Sequence, residues 1–237
     1  MKFIVHISII ILLLTSCKFS HKEVEGNGKI TTETREAKQA SKIKVLGGMD
    51  VFVTQGPTGI KVEADEVAQK YIVTEENNGW LEIRIKEDVN LKTADNIKIH
   101  ISTPFINAVQ LAGSGDLTAT GKFASDSKIT FDVTGSGNAR IDVNTPAVEA
   151  QIKGSGNVVV TGETRDVEVE IAGSGKFDGG NLKAENATVR IAGSGDAFVF
   201  AESKLTASIA GSGNVKYKGN AEVDKEVAGS GNIEKVQ

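Results

Sequence analysis

The sequence predicts an all-β protein built as a right-handed parallel β-helix, or β-solenoid, with seven stacked rungs and a strand-rich N-terminal portion. The tripeptide Gly-Ser-Gly occurs seven times at spacings of 18 to 22 residues, and apolar residues alternate with polar ones before each copy. A period near 20 is typical of stacked repeats. The predicted structural turns are Gly113, Ser114, Gly115; Gly135, Ser136, Gly137; Gly154, Ser155, Gly156; Gly173, Ser174, Gly175; Gly193, Ser194, Gly195; Gly211, Ser212, Gly213; and Gly229, Ser230, Gly231.

The alternation before each corner identifies a strand with one buried face. Before the corner at 173, for example, Val167, Val169 and Ile171 alternate with charged residues, among them Glu170. This period of two is that of a strand, and the three-and-four spacing of a helix is absent. The last rung departs from the pattern because Lys225 occupies its middle apolar site.

Each unit therefore consists of a strand, a corner, a second short strand and a loop. One unit cannot enclose a core, but stacked units can, because each strand then pairs with its equivalents above and below. The right hand is the usual one for parallel crossovers. Propeller blades need about 40 residues each, about twice the length of one unit here. Sandwich strands would not share one corner tripeptide. We therefore assign residues 111–237 to a regular β-solenoid.

The corners are interpreted as turns. Glycine adopts positive φ and allows close approach of stacked chains, and the Asn or Asp after each corner is expected to form a ladder. The run from Gly173 to Phe177 lacks the Ser or Thr of a phosphate loop. A Ser nucleophile would need a partnering His, and after residue 17 the chain offers only His21 and His100. We therefore predict no catalytic residue, no cofactor and no metal site.

Residues 28–110 also alternate as strands, and they are predicted to form either degenerate rungs or a small sheet that caps the first rung. Gly47-Gly48-Met49-Asp50 resembles a corner, and it lies 66 residues before Gly113, which leaves room for about three more rungs. Asn77-Asn78-Gly79 is a strong hairpin signal, and Asp65 to Lys70 suggests one helical turn. A cap is physically required, since an open end exposes core and strand edges.

The N-terminus is interpreted as a secretory targeting signal. Residues 1–16 combine Lys2 with the apolar run Phe3–Leu14, which is too short to span a membrane and has the length of a signal segment. Leu14-Thr15-Ser16-Cys17 resembles a bacterial lipobox, which implies lipid attachment at Cys17 and a lipidated tether over 17–27. Ordinary signal cleavage that leaves a free thiol is the alternative.

Composition excludes several other classes of protein. The net charge of −4 gives no attraction to nucleic acid. One Cys excludes an intrachain disulfide framework and multi-cysteine metal sites. Aromatic residues make up only 5% of the chain, so the core is expected to be aliphatic.

The order of motifs resembles the head GIN domain family of auto-transporter adhesins over residues 26–237. The motifs are Gly26-Asn27-Gly28-Lys29-Ile30, Val51-Phe52-Val53-Thr54-Gln55-Gly56, Ile99-His100-Ile101-Ser102-Thr103-Pro104 and the repeated Gly-Ser-Gly-Asn/Asp. The resemblance implies a β-helical fold and an envelope or secreted protein of Bacteroidetes-like bacteria, often a lipoprotein. It implies adhesion, and it supplies no catalytic residue.

Three functions stay open at this point. The first is a non-catalytic adhesin or binding module for a glycan or protein ligand, held at the outer membrane through Cys17 and facing either side. The second is an envelope scaffold that self-associates. The third is a polysaccharide-acting enzyme, for which Glu168 and Glu170, beside Asp132 or Arg190, are the candidate acids.

Overall fold

The computed structural model describes residues 22–92 and 97–237, so the predicted signal and Cys17 lie outside the described residues. Within these ranges, no helix has the length and apolar character needed to cross a membrane. One 3-10 turn spans Gln69–Tyr71, at the end of the stretch predicted as helical. The strands are β1 (Lys22–Glu25), β2 (Ile30–Arg35), β3 (Lys42–Gly47), β4 (Asp50–Gln55), β5 (Gly59–Asp65), β6 (Ile72–Asn77), β7 (Trp80–Ile85), β8 (Val89–Lys92), β9 (Lys98–Thr103), β10 (Ala108–Gly113), β11 (Leu117–Ala124), β12 (Ile129–Gly135), β13 (Asn138–Gly154), β14 (Asn157–Gly173), β15 (Lys176–Gly179), β16 (Leu182–Gly193), β17 (Asp196–Phe200), β18 (Lys204–Gly211), β19 (Asn214–Lys218), β20 (Glu222–Gly229) and β21 (Asn232–Lys235).

The corners stack in register, which confirms the β-solenoid. Gly113 pairs with Gly135, and the same column continues in parallel through every later corner to Gly229. In β13 and β14 the chain stays extended for 17 residues, from one corner to the next. The loop predicted between rungs is thus absent from these two coils.

Two faces meet at the column of corners. Face A consists of the strands that end at corners: β3, β10, β12, β16, β18, β20 and the C-terminal parts of β13 and β14. Face B consists of the strands that leave corners: β4, β11, β15, β17, β19, β21 and the N-terminal parts of β13 and β14.

The apolar columns predicted from the alternation fill the interior. Val169 and Ile171 are fully buried, and so are their equivalents along most of the stack. Three phenylalanines, Phe123, Phe131 and Phe177, also lie in this core. The core is thus aliphatic with three aromatic inserts, and it lies between the two faces.

The N-terminal portion forms one further rung and a cap. Gly47 pairs directly with Gly113, so the prediction of about three additional rungs between these corners is wrong. Beyond that rung, β7 and β9 extend the faces in parallel, whereas β2, β5 and β6 pair antiparallel. Antiparallel strands end the parallel stack because they reverse the direction of the chain and cover the edge of the core.

Buried polar contacts hold the cap together. The Asp65 carboxylate accepts hydrogen bonds from the backbone N–H groups of Gly28 and Val67 at 2.7 and 2.8 Å. Gln69 donates to the carbonyl of Val62 at 3.0 Å, and Arg35 donates to the carbonyl of Gln69 at 2.8 Å. These bonds fix the first turn of the chain against the cap sheet.

The hairpin predicted at Asn77-Asn78-Gly79 is confirmed. Asn77 pairs with Trp80 across the predicted hairpin, and Asn78 and Gly79 both have positive φ, 50° and 80°, as a type I′ turn requires. Residues 22–25, which we assigned to the tether, form β1 and pair with β8. Strand structure thus includes residues 22–25, closer to Cys17 than the sequence indicated.

Candidate functional site

The Gly-Ser-Gly corners have the geometry of tightly stacked turns. The first glycine has positive φ, 115° at Gly135 and 118° at Gly154. The carbonyl of Gly135 accepts hydrogen bonds from the N–H groups of Ser155 and Gly156 at 2.8 and 3.0 Å. A Cβ on Gly156 would lie 2.4 Å from the carbonyl oxygen of Gly137. Stacked corners are therefore joined through the backbone and admit no side chain at either glycine.

The predicted ladder of Asn and Asp residues runs beside the corners. The amide of Asn138 donates to the Asp116 carboxylate at 2.7 Å, and that of Asn157 donates to Asn138 at 2.6 Å. Further along, Asn214 donates to Asp196 at 3.0 Å. These bonds link neighbouring rungs, so this column stabilises the stack.

The acids considered for catalysis lie on the outer surface of face A. The Glu168 carboxylate is 2.5 Å from the Arg190 guanidinium, and both side chains are more than half exposed. Glu170 lies between Gln151 and Arg190 in the register of the sheet. The structure therefore brings Glu168 to a cation at an open surface, which is the arrangement of a solvated ion pair.

Two carboxyls near this surface have lowered pKa values. The ammonium of Lys128 is hydrogen-bonded to Glu149 and lowers the pKa of that carboxyl. The amide of Asn186 and the guanidinium of Arg165 lower the pKa of Asp166. Both acids stay ionised near neutral pH and contribute to stability through these partners.

Face B carries an outward column that sequence reasoning missed. From the cap toward the last rung its members are Lys61, His100, Phe52, Thr118, Arg140, Val159, Asp178, Phe198, Lys216 and Glu234. We call this set the face-B column. The available signal was an aromatic residue at the polar position of an alternating strand, as at Phe52 and Phe198.

One aromatic platform lies at the cap end of the face-B column. The rings of Phe52 and His100 stack with centroids 5.3 Å apart and planes at 20°, and Phe52 is 37% exposed. The His100 Nε2 atom is 3.6 Å from the Glu63 carboxylate. A groove of about 290 Å³ beside these rings is lined by Thr34, Phe52, Thr54, Gly59, Ile60, Lys61, His100, Ile101 and Ser102.

A second aromatic platform lies five strand pairings further along. The Phe198 ring covers Gly180, where a Cβ would lie 2.2 Å from the ring, and the ammonium of Lys218 is 5.5 Å from the ring centroid. A groove of about 350 Å³ is lined by Lys176, Phe177, Asp178, Asp196, Ala197, Phe198, Asn214 and Lys216. An aromatic ring bordered by carboxylates, an amide and ammonium groups can bind a polar ligand that has an apolar face.

Over 22–92 and 97–237, no group of three or more His, Cys, Asp or Glu side chains is arranged to hold a metal ion. The fold and this surface define a class of protein, a capped parallel β-solenoid with shallow grooves on its outer surface. The chain belongs to the family described as "Putative auto-transporter adhesin, head GIN domain", whose model matches residues 40–221. The family predicted from the motifs is thereby confirmed.

Solved structures share this fold. A "putative adhesin" from Bacteroides fragilis NCTC 9343 superimposes with a TM-score of 0.84 at 22% identity, covering 90% of this chain and all of the other. A "putative lipid binding protein" from Parabacteroides distasonis ATCC 8503 gives 0.76 at 25% identity, covering 91% and 100%. A "putative adhesin" from Parabacteroides merdae ATCC 43184 gives 0.73 at 22%, covering 91% and 99%. A search of curated proteins finds no match.

Proposed function

We propose that this protein is a non-catalytic adhesin, a binding module anchored in the outer membrane through lipid on Cys17. The observation that carries the proposal is the face-B column, with aromatic platforms at Phe52 and Phe198 on a rigid stack. The family description and the two neighbours described as adhesins support the same function.

The chemistry of the two grooves favours a glycan ligand. A sugar ring has apolar C–H faces that pack on aromatic rings, and its hydroxyls bond to carboxylates and amides such as Asp178 and Asn214. Phe52 and Phe198 are separated by five pairings, which is about 24 Å at the spacing of strands in a sheet. A linear glycan could therefore contact both platforms at once and gain affinity from the second contact.

A glycan array with the purified chain tests ligand binding. We expect binding to neutral oligosaccharides that strengthens with chain length, and a loss of that length dependence in Phe52→Ala and in Phe198→Ala. Phe105→Ala is the matched control, because Phe105 is 46% exposed and lies outside the face-B column. Binding that both platform variants retain in full would contradict the proposed site.

The lipid anchor is tested separately. Metabolic labelling with palmitate should mark the wild-type chain and leave Cys17→Ser unlabelled. Protease added to intact cells then decides on which side the protein faces: digestion of the wild type supports adhesion at the surface. Complete protection in intact cells, with digestion after lysis, would contradict a surface adhesin.

An envelope scaffold is the second candidate function. The last rung favours it, because β20 pairs only with β18 in the described chain and Val227 is 40% exposed. Such an edge can pair with another strand. Sedimentation of the chain at rising concentration tests this candidate, since a strict monomer would exclude assembly through the edge.

A further inference from the structure

Three lysines from separate segments surround one tyrosine on the cap. The ammonium groups of Lys22, Lys70 and Lys86 lie 5.5, 5.1 and 5.9 Å from the centre of the Tyr71 ring. All three lysines are exposed. We call these four residues the lysine patch.

The three ammonium groups of the lysine patch form no salt bridge with the residues that the structure describes. Nearby lysines outside it are paired, Lys29 with Glu66 and Lys92 with Glu23. Among the residues the structure describes, no carboxylate lies within 4.0 Å of the three patch ammonium groups. The Lys22 ammonium beside the ring also lowers the pKa of the Tyr71 hydroxyl, as a locally positive environment does.

The lysine patch lies where the chain enters the fold. Strand β1 is fixed against β8, because the N–H of Lys22 donates to the carbonyl of Asp88 at 2.6 Å and Val24 is buried. Cys17 is five residues before Lys22. Five extended residues span at most about 17 Å, so a lipid on Cys17 would keep this patch beside the bilayer.

We infer that the lysine patch docks the cap on anionic phospholipid headgroups, with the solenoid leading away from the membrane. The inference rests on the proposed anchoring at Cys17. Ammonium groups attract anionic lipids, and a tyrosine ring is suited to the membrane–water interface. The seven strand spacings from Gly47 to Gly229 then carry the last rung about 34 Å outward, so the Phe198 end of the face-B column points away from the bilayer, whereas its Phe52 end stays near the cap.

Vesicle sedimentation tests the docking. The test uses residues 18–237, which lack the signal and Cys17 and contain the entire described core of residues 40–233. We expect binding to vesicles of phosphatidylglycerol and phosphatidylethanolamine that falls with added salt. Reversing two patch charges in Lys70→Glu/Lys86→Glu should weaken this binding at least about tenfold.

The control for net charge is Lys183→Glu/Lys204→Glu, which changes the same number of exposed lysines elsewhere on the solenoid and should bind as the wild type does. Equal losses in both double variants, equal binding to phosphatidylcholine vesicles, or displacement by millimolar inorganic phosphate would each overturn the inference. The truncated chain 18–237 has no Cys17, so its binding to vesicles does not depend on the lipid anchor or on glycan binding. A failure of the docking is therefore distinguishable from a failure of the proposed function, which palmitate labelling and the glycan array test.

Discussion

Gly173 combines two constraints that a side chain would violate. Its φ is +129°, and a Cβ would lie 2.4 Å from the carbonyl oxygen of Gly154 in the rung below. Gly28 has only the first constraint, since its φ is +78° and no atom lies within 4 Å of the place a Cβ would take. Comparing substitutions at Gly173 and Gly28 therefore distinguishes the cost of backbone strain from the steric cost of close stacking.

Gly173→Ala is expected to lower the free energy of unfolding by at least about 3 kcal/mol, from strain and displaced backbone together. Gly28→Ala should cost only about 1–2 kcal/mol, the usual penalty of left-handed backbone for an L-residue. Urea unfolding followed by circular dichroism measures both. Equal losses would mean that close stacking of corners contributes nothing.

Glu149 makes stability depend on acid pH. Its pKa is lowered from the ordinary 4.5 because Lys128 donates to the carboxylate. The native state thus favours the ionised form, and the stabilisation is present above the unfolded pKa and is lost as pH falls through the lower native pKa. Glu149→Gln should destabilise the protein at pH 7 and have a smaller effect below pH 4.5.

Thermal unfolding at a series of pH values measures this difference. The matched control is Lys128→Met, in which the further substitution Glu149→Gln should change the pH dependence little, because the partner is gone. A Glu149→Gln effect that is constant across the acid range would refute the assignment.

The ladder beside the corners acts at the scale of the strand pair. Asn138 bonds to the rung before it through Asp116 and to the rung after it through Asn157, whereas Asn232 in the last rung bonds within its own rung, to Glu234. Asn138→Ala should therefore cost about 1–2 kcal/mol of stability, and Asn232→Ala less than about 0.5 kcal/mol. Chemical denaturation of both variants gives the comparison, and similar costs would show that the ladder does not join rungs.

Strand elements differ in how far their sequence determines them. The regular rungs could be predicted because one period governs both the core and the corners. The hairpin at Asn78 was also predictable, because positive φ at two consecutive residues restricts the choice of residue. The sequence left open whether residues 28–110 form further rungs or a cap sheet, because the alternation of β5, for example, is the same whether its partner runs parallel or antiparallel.

At the scale of the whole molecule, β20 forms an edge of the stack, because β18 is its one strand partner in the described chain. Lys225 occupies the inward site of β20 opposite Ala207, and an inward charge blunts an open sheet edge. Lys225→Val should promote concentration-dependent dimerisation, measured by analytical ultracentrifugation. The control Glu226→Val removes a charge at the adjacent outward site and should stay closer to the wild type; equal association of the two variants would contradict a role for the inward position.

The face-B column shows why a binding surface was harder to predict than the fold. Its members come from ten strands, and the alternation shows only that each side chain points outward. Phe52 stacks on His100, and Phe198 lines one groove with Asp178 and Asn214, through pairings between strands far apart in the chain.

The sequence by itself determined the solenoid. One unit of the repeat cannot enclose a core, whereas units that stack in register bury their apolar columns and align their glycine corners. It also supplied the local motif at Leu14 to Cys17 that resembles a lipobox, on which the proposed anchor rests. Only the tertiary structure decided that the corner at Gly47 stacks directly on Gly113 and that antiparallel strands form the cap. Only it brought Lys22, Lys70 and Lys86 around Tyr71. The physical reason is that strand direction and lateral neighbours are set by long-range hydrogen bonding, which leaves no trace in the local period of the sequence.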